Sequence, residues 1–213
     1  MDIVALTRTL AIIGLVLCVL GIVLRIRDIM NRPNRQDLSR ARGNVRFGVL
    51  YAFTLGMAPW EKESTRRHWI AYFRGIFYHL GIFTALAVLL VSPWLSNIPQ
   101  SIIRLAMVVT LTGAVFGFVG IVTRLTEEDT RGLSVPDDYF SVFLSSSFVA
   151  LAFMILLVPP VLPVFYLVAA LMLVYIPFSK IRHCVYFFYS KFFFGSSFGR
   201  RGVIGRSGSE YAD

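Results

Sequence analysis

Histidine and cysteine are scarce in this chain of 213 residues. There are three histidines, His68, His79 and His183, and two cysteines, Cys18 and Cys184. The cysteines show no CxxC spacing and stand in separate apolar segments, so neither a disulfide framework nor a zinc site is supported. Each reads as a small buried hydrophobe. Cys184 follows His183 directly, but helical neighbours point about 100° apart, so it would not share a metal with that imidazole. Charge is scarce too. Only 15% of residues are charged, against about 25% in a soluble domain, which leaves no room for a large soluble domain.

What the chain has instead is hydrophobic length. Apolar residues make up 56%, the mean hydropathy is +0.70, and they fall in runs of about 20, the length that crosses a bilayer core. Five spans are expected, at about 3–24, 69–91, 101–122, 139–158 and 163–194. They form one all-α transmembrane bundle over residues 1–195, followed by a cytoplasmic tail, 196–213, that is rich in glycine and serine and is expected to be mobile. Apart from a lone Arg8, the charge of the first span lies after its apolar stretch, at Arg25 and Arg27, which is not the order of a cleavable leader, so the span is expected to be retained. No internal repeat is found.

The net charge of +9 argues for topology rather than for nucleic acid, because the basic residues flank the spans. Residues 25–67 carry ten Arg and Lys and the segment from Lys180 carries six, while 93–100 and 159–163 carry none. The positive-inside rule then puts the N-terminus outside and the C-terminus in the cytoplasm, in a multi-pass protein of the inner (cytoplasmic) membrane. Residues 44–60, apolar with basic flanks, read as an interfacial helix or re-entrant piece. Residues 126–138 begin acidic and connect spans three and four, either as a solvated linker or as a docking surface. Ser134 or Asp137 is expected to cap span four. Gly113, Gly117 and Gly120, near four-residue spacing, are expected to let span three approach a neighbour closely.

His79 and His183 stand in apolar helices, where an imidazole is costly and usually functional. On antiparallel helices two such residues can clamp one metal, and the leading candidate in a membrane bundle is a bis-histidine haem iron. Gly75, one turn before His79, leaves room beside the helix for a flat macrocycle, and Gly81 opens the far side. Tyr72 and Tyr186 share faces with the two histidines and are expected to line the pocket. Arg74, Lys180 and Arg182, at the membrane edge, are candidate partners for the two haem propionates, or else snorkel to the interface. For His183 to match the depth of His79, about 15 Å into span two, span five must continue as one long helix to about Gly195, bent at Pro177 if at all. His68 reads as a boundary residue.

Three short stretches carry a resemblance. They are Tyr78-His79-Leu80-Gly81-Ile82, Pro177-Phe178-Ser179-Lys180-Ile181-Arg182-His183 and Ser134-Val135-Pro136-Asp137-Asp138-Tyr139. With the five-span order, they make the chain similar to the gamma subunit of respiratory nitrate reductase. The likeness is closer to the membrane cytochrome subunits of heterodisulfide-reductase-like and sulfite-reduction-associated complexes. The resemblance implies a b-type cytochrome that trades electrons between the quinone/quinol pool and a cytoplasmic iron–sulfur subunit, with His79 and His183 as ligands of the haem nearest the cytoplasm. The second haem of that family needs histidines about ten residues after His79 and about eighteen before His183. Leu89 and Phe165 stand there, so one haem b is expected, and the quinone site is left unplaced. The rival reading is a non-redox membrane anchor that keeps the fold. A transporter would need a polar midplane path, of which spans one, three and four offer almost nothing.

Overall fold

The computed structural model describes residues 2–32, 38–61 and 66–204. Every regular element among them is helical: α1 (Ile3–Met30), α2 (Val45–Phe53), α3 (Trp69–Val91), α4 (Gln100–Thr126), the short α5 (Glu128–Leu133), α6 (Pro136–Leu157), α7 (Leu162–Tyr175) and α8 (His183–Arg201). Four of these helical stretches, at Ile3–Met30, Trp69–Asn97, Gln100–Thr126 and Pro136–Leu157, are long and apolar enough to cross a membrane. A fifth span results only if α7 and α8 are taken together. The described residues of 1–25 and 73–181 form one compact unit, and those of 26–72 and 182–213 form a second.

In the first unit the helices meet where side chains are smallest. Lipid is as apolar as leucine, so helices gain by close packing rather than by hiding from solvent. A Cβ on Gly81 of α3 would stand 2.6 Å from the Gly113 Cα of α4, and one on Gly14 of α1 would stand 3.0 Å from the Ala170 carbonyl of α7. Gly117 of α4 faces Ser146 and Tyr78, as the expected glycine packing requires, while Gly120 faces open space. Gly81 therefore closes a helix contact rather than opening a face. The core between these helices is built on Ala85, Phe148, Val149, Ala152, Phe165 and Ala169.

The fifth span differs from the sequence expectation: it is two helices, not one. Pro177 has no N–H and obstructs the preceding turn, and α7 ends at Tyr175. The backbone donors freed by the break are satisfied, as they must be wherever water is absent. Ser179 Oγ accepts from Ile181 N–H at 3.2 Å. Asp137 Oδ2 accepts from Lys180 N–H at 2.9 Å. A 3-10 turn (Lys180–Arg182) leads into α8, so His183 is the first residue of that helix and not an interior one. α8 runs past Gly195 to Arg201 and stops at Gly202, whose φ of 70° suits the left-handed cap. The earlier part of the expected tail is thus helical, and residues 205–213 lie outside the described residues.

In the second unit α2 packs along α8. Gly48 meets the backbone of Gly195 and Gly199 so closely that no Cβ would fit, and Gly43 N–H donates to the Arg200 carbonyl at 3.0 Å. Asn44 caps α2, its Oδ1 accepting from Arg46 and Phe47 N–H. α2 and the turns to Glu61 occupy the stretch read as interfacial. There the Tyr51 hydroxyl donates to Glu61 Oε2 at 2.6 Å, a bond that holds the phenol proton and raises its titration.

Candidate functional site

His79 sits on the exposed side of α3. Its Nδ1 lies 2.7 Å from the Gly75 carbonyl oxygen. A carbonyl can only accept, so Nδ1 carries the hydrogen and the lone pair belongs to Nε2. This is the arrangement by which a backbone carbonyl orients a metal-ligating imidazole. Gly75 completes the setting. A Cβ built there meets nothing within 4 Å, so the helix face beside His79 is open, as the sequence suggested. Phe83 flanks the ring, its centroid 6.5 Å away.

The other candidates are distributed as follows. Arg74 Nη1 donates to Thr123 Oγ1 of α4 at 2.6 Å, an interhelical bond and not a purely snorkelling side chain. Tyr72 donates to the Met57 carbonyl at 3.0 Å within the second unit. His183, also in that unit, is exposed at the start of α8. Arg182 lies over the ring of Tyr186, 5.9 Å from its centroid. Tyr186, Phe188 and Tyr189 line a cavity of about 180 Å³ with Ile26 and Ile29. His68 is one residue short of α3, as a boundary residue should be. Cys18 is buried, but Cys184 is exposed, contrary to expectation. No group of three or more His, Cys, Asp or Glu side chains suited to a metal ion occurs among the described residues.

Lys180 joins a cluster that sequence reading missed. Its Nζ lies 2.7 Å from Asp138 Oδ2. Asp138 Oδ2 also accepts from the Val135 N–H at 2.9 Å, so Val135 stands at the cap position of α6 in place of the expected Ser134 or Asp137, and Asp138 reaches back to it from the first turn. Ser134 instead donates to the Thr130 carbonyl and accepts from Arg124. Asp137 turns to the break after α7, taking hydrogen bonds from Tyr175 OH and Lys180 N–H. Two of the three stretches that carry the family resemblance are therefore in contact. The charged and hydroxyl residues in both were the available signal.

The fourth span is also more polar inside than its composition suggested. Ser141, Ser145 and Ser146 are buried. Ser145 donates to the Ser141 carbonyl at 2.5 Å, so Tyr78 OH donates to Ser145 Oγ at 2.6 Å and accepts from Ser146 at 3.2 Å. These hydroxyls satisfy one another.

The two positions left without a second haem ligand differ: position 165 is packed and position 89 borders a cleft. Phe165 is fully buried and stacks on Phe148 with centroids 5.3 Å apart. Leu89 lines a cleft of about 390 Å³ whose walls include Ile12, Leu15, Leu86 and Leu90, with Arg8 and Trp94 also facing it.

No family model, curated protein or solved structure matches the chain.

Proposed function

We propose that the protein is a b-type cytochrome subunit of a respiratory membrane complex. It passes electrons between the quinone/quinol pool and a cytoplasmic iron–sulfur partner, with His79 and His183 as axial ligands of one haem. The observation that carries this reading is the His79 Nδ1–Gly75 carbonyl bond beside a helix face that no side chain fills. What supports the reading is local to His79: its imidazole is held in the ligating tautomer, and a glycine keeps the adjoining face clear. When bound, the haem supplies a one-electron ferric/ferrous couple. The chain's own contribution is to orient the His79 ring through Gly75 and to exclude water with apolar helices. Arg74 and Arg182 bring positive charge, which favours propionates and tunes the potential.

The buried Phe148–Phe165 stack supports one haem rather than two. The same stack also suits a membrane anchor that keeps the fold without redox chemistry. The acidic stretch Glu127-Glu128-Asp129, exposed between α4 and α6, and the basic residues around α2 and α8 are the surfaces we assign to the partner subunit. The N-out, C-in topology in the inner (cytoplasmic) membrane is part of this proposal and rests on the Arg and Lys distribution.

The test is a reduced-minus-oxidised spectrum of the purified chain with haem quantified per polypeptide, for wild type, His79→Ala and His183→Ala. One haem b per chain, lost in either variant, is the expected result. Folded protein without haem would replace the cytochrome by the anchor.

A further inference from the structure

We propose that the cleft between α1, the end of α3 and α7 binds an anionic phospholipid. Its phosphodiester is held by Arg8, and one acyl chain lies along the apolar wall. Arg8 is the only charged residue in the first 22 positions of α1, which run from Ile3 to Leu24, and it faces the cleft. Among the described residues none forms a hydrogen bond or ion pair with its guanidinium. A charge on a spanning helix calls for a partner, and a guanidinium fork matches a phosphate.

The size and chemistry of the cleft select the ligand. At about 390 Å³ it falls within the range of small-molecule sites, and its walls are leucine and isoleucine side chains that suit a hydrocarbon chain. Trp94, within the Ser92–Asn97 turn that follows α3, is the amphipathic residue that belongs at headgroup level.

Two hydroxyls also face the cleft, Ser92 and Tyr166, and their protons are already placed. Ser92 Oγ donates to the Leu89 carbonyl at 2.7 Å, so Tyr166 must donate to Ser92 Oγ, 2.7 Å away. Neither hydroxyl keeps a proton for a neutral carbonyl. Of the side-chain donors that remain towards the cleft, the Trp94 indole N–H is neutral and the Arg8 guanidinium alone carries charge, which favours an anionic head over an uncharged quinone.

Native mass spectrometry of the full chain in detergent, titrated with phosphatidylglycerol or phosphatidylcholine of the same chains, tests the proposal. Wild type should retain one phosphatidylglycerol in clear preference to phosphatidylcholine. Arg8→Gln should lower that preference about tenfold, the effect of losing one charge-assisted hydrogen bond. Arg104→Gln, which removes a charge from α4, should leave it unchanged. Ile12→Trp, on the exposed wall of the cleft, should reduce retention of both lipids while Arg8 remains. Equal retention of the two lipids by wild type, equal loss in the Arg8 and Arg104 variants, or a neutral quinone retained in the lipid's place would each overturn it. None of these outcomes depends on haem.

Discussion

The Lys180 ammonium lies 2.7 Å from the Asp138 carboxylate, and this contact joins the start of α6 to the turn that follows α7. The two residues are unequally exposed, 52% for the lysine side chain and 12% for the aspartate. Asp138 has a second duty in accepting from Val135 N–H at the start of α6, and Lys180 offers its backbone N–H to Asp137.

The inequality predicts an order of effects. Lys180→Met should cost less than about 1 kcal/mol, because one partner is half in solvent. Asp138→Ala also removes the acceptor for the Val135 N–H at the start of α6 and should cost about 1 kcal/mol more. Thermal unfolding in detergent at low salt should rank Asp138→Ala below Lys180→Met and both below wild type. At 1 M salt, where screening acts within about 3 Å, the lysine variant should approach wild type and the aspartate variant should not.

The two glycines near His79 should behave oppositely. Gly75→Leu introduces a side chain into open space, so the helix should be as stable as wild type, or gain up to about 1 kcal/mol from propensity. Haem per chain should fall, because the new side chain fills the face beside the ligand. Unchanged haem content in that variant would contradict the assignment of the Gly75 face.

Gly81→Ala should fail on stability. Its methyl would stand 2.6 Å from the Gly113 Cα, and backbone cannot move aside as a flexible side chain can. Overpacking of this kind costs about 1–3 kcal/mol. The melting temperature of Gly81→Ala should drop, and that of Gly75→Leu should not.

The buried hydroxyl chain should show coupling. Tyr78→Phe removes a donor to Ser145 and an acceptor for Ser146, at a cost of about 0.6 kcal/mol and at most about 1.7 kcal/mol. A double-mutant cycle with Ser145→Ala should return a non-zero interaction energy, since the two groups are 2.6 Å apart. A purely additive cycle would mean that the bond contributes nothing.

In the second unit, Gly48→Leu should separate α2 from α8, because each approaches the other's backbone there. Limited trypsin digestion should then cut faster at Arg42 and Arg46, with the loss of protection read by gel against time.

Much of this protein was legible in the sequence, and for a physical reason. A bilayer demands about 20 apolar residues with all backbone groups satisfied, so the ends of α3 at Trp69 and Val91, and the helical identity of the spans, follow from composition alone. Gly75 could also be read, because an open helix face needs only a missing side chain at the right spacing. What only the tertiary structure decided concerns partners far apart in the chain. Gly81 and Gly113 meet across 32 positions, so one glycine of the Tyr78–Ile82 stretch is a packing residue and not part of a pocket. Asp137 caps a break 43 positions away, and Asp138 pairs with Lys180 at a comparable distance. The split of the fifth span depends on both. Pro177 made a bend readable, but a complete break needs acceptors for the freed N–H groups, and those come from Ser179 nearby and from Asp137 on a different helix. Local periodicity carries the elements, and the contacts that finish them lie between residues that no sequence window contains together.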